Sequence, residues 1–184
     1  TAQGRGDLIS KVTELTGGSI DAIIANAGLA TPTVATVAVN FFGAVATLEG
    51  LRPLLKGSAA PRAVATASMA SLYPADAALL EHLLAGDEPS ALARGAELAA
   101  SPERSGQIYG TTKQALAKWI RRNAPTPAWA GAGIPLNAIA PGVVVTPMTA
   151  AFTDSAEART AILEQVPMPL NGIFEPRDVA YLLA

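Results

Sequence analysis

The chain has 184 residues, half of them hydrophobic and 15% charged, which is enough for one domain with a sizeable core. A net charge of −2 with interspersed signs argues against nucleic acid or an anionic membrane as partner, and a chain without cysteine excludes disulfides and thiolate metal sites and fits a reducing cytoplasm. His82 is the only histidine, so histidine triads and histidine metal sites are not expected; TAQGRGDL has no signal-peptide pattern, and no apolar run approaches the ~18 residues of a membrane span.

In chain order, the spacing predicts an amphipathic helix over 5–15, with Leu8, Val12 and Leu15 on one face and Gly17-Gly18 as its stop. A buried strand over 21–25 ends at Asn26-Ala27-Gly28. After a loop with Pro32, a long helix over about 35–55 carries Val37, Phe41, Ala44, Leu48 and Leu51 at helical spacing. A second strand covers 62–68. Two short helical segments follow, DAALLEHLLAG and PSALARGAELAAS, and then a helix around Tyr109 that reaches about Asn123. A third strand covers 134–140 and is closed by Pro141-Gly142. DSAEARTAILEQV is a helix with Asp154 and Glu157 as a capping pair, and EPRDVAYLLA begins another, with Pro176 in its first turn.

Strands alternating with helices predict an α/β fold with a parallel sheet covered on both faces. Small and polar residues follow each strand, where open α/β sheets bind ligands. Three strands would leave both sheet edges bare, and Gly4 and Gly6 precede a helix without following a strand. The expectation is therefore a single domain over 1–184, lacking a Gly-rich strand-to-helix turn before Thr1 and a last strand after Ala184.

The stretch IYGTTKQALAKWIRR places Tyr109 four residues before Lys113, so both lie on one helix face. A free phenol titrates near pH ~10, and an ammonium held close favours the phenolate. Such a pair can pass a proton to or from an alcohol or carbonyl oxygen. Gly110, Thr111 and Thr112 add little bulk beside it. Taken alone, the same spacing also describes a lysine snorkelling beside a core aromatic.

The order of further motifs resembles the short-chain dehydrogenase/reductase family over nearly the whole chain. ANAG at 25–28, VNFFGA at 39–44, TASMAS after the second strand, Tyr109-x-x-x-Lys113 and LNAIAPGVVVTPM look like the family's elements in the family's order. The resemblance implies a doubly wound, Rossmann-like sheet and an NAD(P)-dependent oxidoreductase that interconverts a secondary alcohol and a carbonyl. Tyr109 would be the acid/base, and Lys113 would tune it and hold the nicotinamide ribose. Ser68, in preference to Ser71, would bind the substrate oxygen. Asn40 would bend its helix and hold a water in a proton relay. Pro141, Gly142, the Val144 backbone and the Thr146 hydroxyl would lie by the nicotinamide. Asn26, Ala27 and Gly28 would lie under the adenosine side, with Asn26 also tying neighbouring strands.

Ser68 and Tyr109 are 41 positions apart, much further than is usual in the family. The extra stretch at about 74–105 reads as two amphipathic helices, suited to a lid or an interface. With the short loop before Asn40, it resembles the bacterial 3-alpha-hydroxysteroid dehydrogenase/carbonyl reductase subgroup. That likeness implies a hydrophobic alcohol or carbonyl substrate, a homodimer, and NAD, with NADP open because the residue that separates them would lie before Thr1. Two alternatives stand beside it. One is a non-catalytic protein that uses the fold for association; the other is a sugar-nucleotide epimerase or dehydratase that keeps the Tyr-Lys pair.

Overall fold

The computed structural model describes residues 1–183. They form two compact units, 1–139 and 140–183. In the first unit, helix α1 (Ala2–Thr16) is capped by the Thr1 hydroxyl and stopped by Gly17 in the left-handed region, φ 63°. Strand β1 (Ala22–Ala25) follows, then α2 (Val34–Val37), a π-helical turn (Ala38–Gly43) and α3 (Ala44–Leu51), which tightens into a 3-10 stretch over Arg52–Gly57. Strand β2 (Arg62–Thr66) leads into a 3-10 turn, Met69–Leu72. Then come α4 (Ala77–Ala85), α5 (Glu88–Ala99), α6 (Gln107–Asn123) and strand β3 (Leu136–Ile139).

The three strands form a parallel sheet in the order β1-β2-β3, with Ala22 opposite Arg62 and Ala63 opposite Leu136. Alternation along the strands buries Ile23, Ala25, Ala63, Ala65 and Leu136. On the other face Ile24 is 46% exposed and Asn137 is exposed, so the cover expected on both faces is one-sided at these positions. Helix α3 packs on β1 and α6 on β3. Their apolar residues close the core with Val37, Leu48, Leu55, Leu116 and the fully buried Trp129.

Two expectations are corrected in this unit. The covered side of α1 is Arg5, Ile9 and Val12, all half-buried, so of the expected Leu8, Val12 and Leu15 only Val12 is covered; Leu15 is 72% exposed. The cause is Gly50 on α3, where a Cβ would lie 2.7 Å from Ile9 Cγ1 and nearer still to its terminal methyl. Replacing Gly50 with alanine is therefore expected to destabilise the fold. Overpacking costs about 1–3 kcal/mol, more than the ~1 kcal/mol of helix propensity gained, and a fall in the thermal midpoint of unfolding checks it. The second correction concerns 34–57. By length and composition this run is apolar enough to cross a membrane, the one such helix among the described residues. Thr36, Asn40 and Thr47 interrupt the apolar letters without lowering the average enough to exclude it. Val37, Leu48 and Leu55 are buried in the protein core.

Helices α4 and α5 form a hairpin in which Leu79, Leu83, Ala91 and Leu98 are fully buried. It packs on α6 and α2, so closely at Gly95 that a Cβ would lie 2.8 Å from Val37 Cγ2. Arg5 on α1 reaches Glu88 at the turn of the hairpin, Nη1 donating to Oε1 at 3.0 Å.

In the second unit, Val144 bridges Phe174 in parallel fashion. Pro147–Thr149 is a 3-10 turn, followed by α7 (Ala150–Thr153), α8 (Ala156–Gln165) and α9 (Pro176–Leu183). The cap of α8 is Ser155, whose hydroxyl accepts from the Ala158 N–H at 3.1 Å. The expected Asp154–Glu157 pair does not form the cap, because Asp154 closes α7. Pro176 opens α9 as expected.

Candidate active site

Strand β1 ends at Ala25, and the chain turns out through Asn26-Ala27-Gly28 at the carboxyl end of the sheet. The Thr66 hydroxyl at the end of β2 donates to Asn26 Oδ1 at 2.7 Å, which is the strand tie expected of Asn26. A Cβ on Gly28 would lie 3.4 Å from both Asn40 Oδ1 and Lys113 Nζ. Three separated segments of sequence thus meet at one glycine.

Asn40 is fully buried in the π-helical turn. Its carboxamide makes a two-pronged clamp on Leu29: Oδ1 accepts from the Leu29 N–H at 2.8 Å and Nδ2 donates to the Leu29 carbonyl at 2.9 Å. Nδ2 also donates to Thr112 Oγ1 at 3.2 Å. Both amide hydrogens are therefore engaged with the protein. A π turn widens the helix by one residue and often marks a functional site. Here it puts an amide where an α-helix in the core would hold an apolar side chain.

Ser68 caps the 3-10 turn after β2, its Oγ accepting from the Ala70 N–H at 3.2 Å. That bond uses a lone pair and leaves the hydroxyl hydrogen to be donated elsewhere. Ser71 lies one turn on, and its carbonyl accepts from Gln114 Nε2 at 3.0 Å. Helix α6 presses against this turn: a Cβ on Gly110 would be 3.1 Å from the Ala70 carbonyl. Gly110 therefore has a packing reason beyond small bulk.

On α6, Tyr109 is half-buried and Lys113 is 4% exposed. Lys113 Nζ lies 5.8 Å from the Tyr109 ring centroid and donates to the Thr66 carbonyl at 2.7 Å. Burial pushes the Lys113 ammonium down to about 8, and among the described residues no carboxylate pairs with it to offset the lost hydration. Thr111 and Thr112, read from the sequence only as small, prove to be hydrogen-bonding residues, both fully buried. Thr112 Oγ1 links Asn40 to the Tyr109 carbonyl, to which it donates at 2.8 Å. Thr111 Oγ1 accepts from the Asp76 N–H at 3.0 Å. Sequence reasoning also missed Thr66 and Asp76. Among the described residues no group of three or more His, Cys, Asp or Glu is placed to hold a metal ion.

In the second unit, Pro141 and Gly142 precede the buried Val143. Val145 N–H donates to the Phe174 carbonyl at 2.8 Å and Phe174 N–H to the Val143 carbonyl at 3.0 Å. This parallel pattern turns the amide of Val144 away from Phe174. Its carbonyl accepts from the Thr149 hydroxyl, and the Thr146 and Thr149 hydroxyls are 3.1 Å apart.

A family model described as enoyl-(acyl carrier protein) reductase matches residues 87–184. The 3-alpha-hydroxysteroid dehydrogenase/carbonyl reductase of Comamonas testosteroni is 33% identical over 189 aligned positions, which cover 100% of this chain and 72% of the relative. A tropinone reductase homologue of Arabidopsis thaliana is 28% identical and is matched over 98% of this chain and 59% of its own length. Among solved structures, the 3-alpha-hydroxysteroid dehydrogenase of a Pseudomonas species, complexed with NADH, superposes with a TM-score of 0.81 at 34% identity, covering 100% of this chain and 71% of that one. With a parallel α/β sheet, motifs of the first unit meeting at its carboxyl end and a relative of this identity and coverage, the chain belongs to the short-chain dehydrogenase/reductase family of oxidoreductases.

Proposed function

We propose that the protein is an NAD(P)-dependent oxidoreductase that interconverts a secondary alcohol and a carbonyl on a hydrophobic compound, with hydroxysteroids the first class to try. The observation that carries this reading is Lys113: a buried ammonium beside the Tyr109 ring, with Thr66 as its one hydrogen-bond acceptor among the described residues. Its remaining N–H groups suit the paired hydroxyls of a ribose, and Gly28 keeps the space beside Nζ free of a side chain. The residues present therefore fit a nicotinamide dinucleotide, which when bound supplies the hydride chemistry. The hydroxysteroid dehydrogenase relatives, one of them complexed with NADH, support the substrate class and the cofactor.

Tyr109 moves the proton in this scheme. Its phenolate oxygen takes the proton of the alcohol oxygen in oxidation, and the hydroxyl so formed returns it in reduction, with the Lys113 ammonium held beside the ring. Ser68 donates its free hydroxyl hydrogen to the substrate oxygen and steadies the charge that develops there. Asn40 acts through others: its clamp on Leu29 holds the loop after β1 in place beside Lys113, and Thr112 couples it to the Tyr109 turn. Asn26, Ala27 and Gly28 would line the adenosine side of the cofactor. The Val144 N–H and the Thr146 hydroxyl would hold the carboxamide, with Pro141 and Gly142 shaping the bend before them. The α4–α5 hairpin is read as an insert that takes the outer faces of α2 and α6 out of subunit packing. A homodimer is the assembly that follows, and a chain without cysteine suits the cytoplasm.

Fluorescence titration of the full-length protein with NADH and NADPH in parallel tests the cofactor. Saturable binding of one in preference to the other is expected, and binding of neither overturns the proposal. Tyr109→Phe tests the chemistry: turnover of a hydroxysteroid with the bound nucleotide is expected to fall about 10²–10⁴-fold with the melting temperature unchanged. Full turnover by the variant, or a product formed with no net change in the nucleotide's oxidation state, speaks against it; the latter points to an epimerase.

A further inference from the structure

We infer that Asp76, at the root of the α4–α5 hairpin, is a positioning residue for the acid/base helix. This rests on the oxidoreductase reading of Tyr109 and Lys113. The Asp76 carboxylate is 7% exposed, and each of its oxygens accepts two hydrogen bonds. Oδ1 takes the Leu79 N–H at 2.8 Å and Arg94 Nε at 3.0 Å; Oδ2 takes Arg94 Nη2 at 2.8 Å and Arg104 Nη2 at 2.9 Å. One side chain thereby joins the start of α4, the middle of α5 and the turn that leads into α6.

The backbone of the same residue completes the link. Its N–H donates to Thr111 Oγ1, and Thr111 lies midway between Tyr109 and Lys113. Helix α6 needs such an external anchor. Its first residue follows Gly106, which offers no side-chain cap, and Tyr109 stands in the first turn, where helices fray. Arg104 before the helix and Thr111 within it are both tied to Asp76, so the first turn is held from two sides. Gly110 is meanwhile pressed on the Ala70 carbonyl. The hairpin thus sets the pose of Tyr109 against the Ser68 turn from the outside of the helix layer, without touching substrate or cofactor.

Thr111→Val is the cleanest test, because it removes the acceptor for the Asp76 N–H at nearly constant volume, and Thr111→Ser restores it. In the full-length protein, Thr111→Val is expected to lower kcat at least fivefold, with KM for nucleotide and alcohol within twofold of wild type, and Thr111→Ser is expected to recover kcat. Asp76→Asn is expected to share the split between kcat and KM. Asp87→Asn, which removes only the charge of the exposed cap of α5 at Ser90, is expected to leave kcat unchanged. A Thr111→Val enzyme with wild-type kcat, or a loss that serine does not recover, overturns the proposal. A wild-type protein that turns nothing over, or a fully active Tyr109→Phe, fails the oxidoreductase reading instead. Positioning is then decided by the Lys113 side-chain titration, followed by NMR. A midpoint that moves in Thr111→Val and returns in Thr111→Ser upholds the anchor, and an unmoved midpoint overturns it.

Discussion

Lys113→Met is expected to make the protein more stable at pH 7 and unable to bind its nucleotide. The Lys113 ammonium is buried without a counter-charge, and its folded value of about 8 lies below the 10.5 of a free lysine. A group whose charged form the fold disfavours destabilises the protein wherever it is protonated in both states, which here means below about pH 8. The depression corresponds to about 3 kcal/mol, from which the lost hydrogen bond to Thr66 subtracts about 1 kcal/mol. A net gain of about 2 kcal/mol is expected at neutral pH. The sign of the pH dependence provides the check. Wild-type stability should rise between about pH 8 and 10.5 as Lys113 discharges, and the methionine variant should lose that rise. Chemical denaturation at pH 7 and pH 10 measures both. A methionine variant that is less stable than wild type at pH 7, or that still binds nucleotide with wild-type affinity, would sink this account of the residue.

Asp76 is the opposite case, a buried charge that the fold favours. Hydrogen bonding from Arg94, against the opposing effect of burial and with further help from the Leu79 N–H, the Arg94 charge and Arg104, lowers its carboxyl to about 2 from 3.8. The stabilisation is fully present above the unfolded value and is lost as pH falls through about 2. It amounts to about 2 kcal/mol at neutral pH, and Asp76→Asn should forfeit it while leaving two guanidinium groups without their carboxylate. The stability difference between wild type and Asp76→Asn is therefore expected to be constant from pH 7 to about 5 and to shrink between about pH 4 and 2. Urea midpoints across that range measure it; a difference that does not depend on pH would mean that the lost contacts are packing and not charge.

What was legible in the sequence was local, and what was not was long-range. The parallel sheet, the hairpin at 74–105 and the Tyr109–Lys113 pair are written in apolar runs and a four-residue spacing, so they can be read without knowing what lies opposite. The π turn is not. Val37, Phe41, Ala44, Leu48 and Leu51 keep alternating gaps of three and four through it, as an uninterrupted α-helix would, and only the buried Asn40 and its grip on Leu29 reveal the extra residue. The side that α1 buries depends on Gly50 of another helix. Asp76 read as an ordinary helix start, because Arg94 and Arg104 belong to other segments and their pairing is fixed by the fold. Thr66, Thr111 and Thr112 carried no signal, since a threonine in an apolar stretch reads the same whether or not its hydroxyl is bonded.

The π turn also sets how this part of the molecule tolerates a change in length. Inserting a further residue between Ala38 and Gly43 would exceed what one π turn absorbs and rotate everything beyond it by about 100° about the helix axis. Asn40 and Lys113 could no longer keep their places around Gly28, although every amino-acid type at the site would still be there. In the exposed stretch from Ala30 to Thr33, an added or lost residue would be absorbed by solvent-facing backbone at little cost. The two segments are neighbours in sequence, yet one is a ruler and the other is slack.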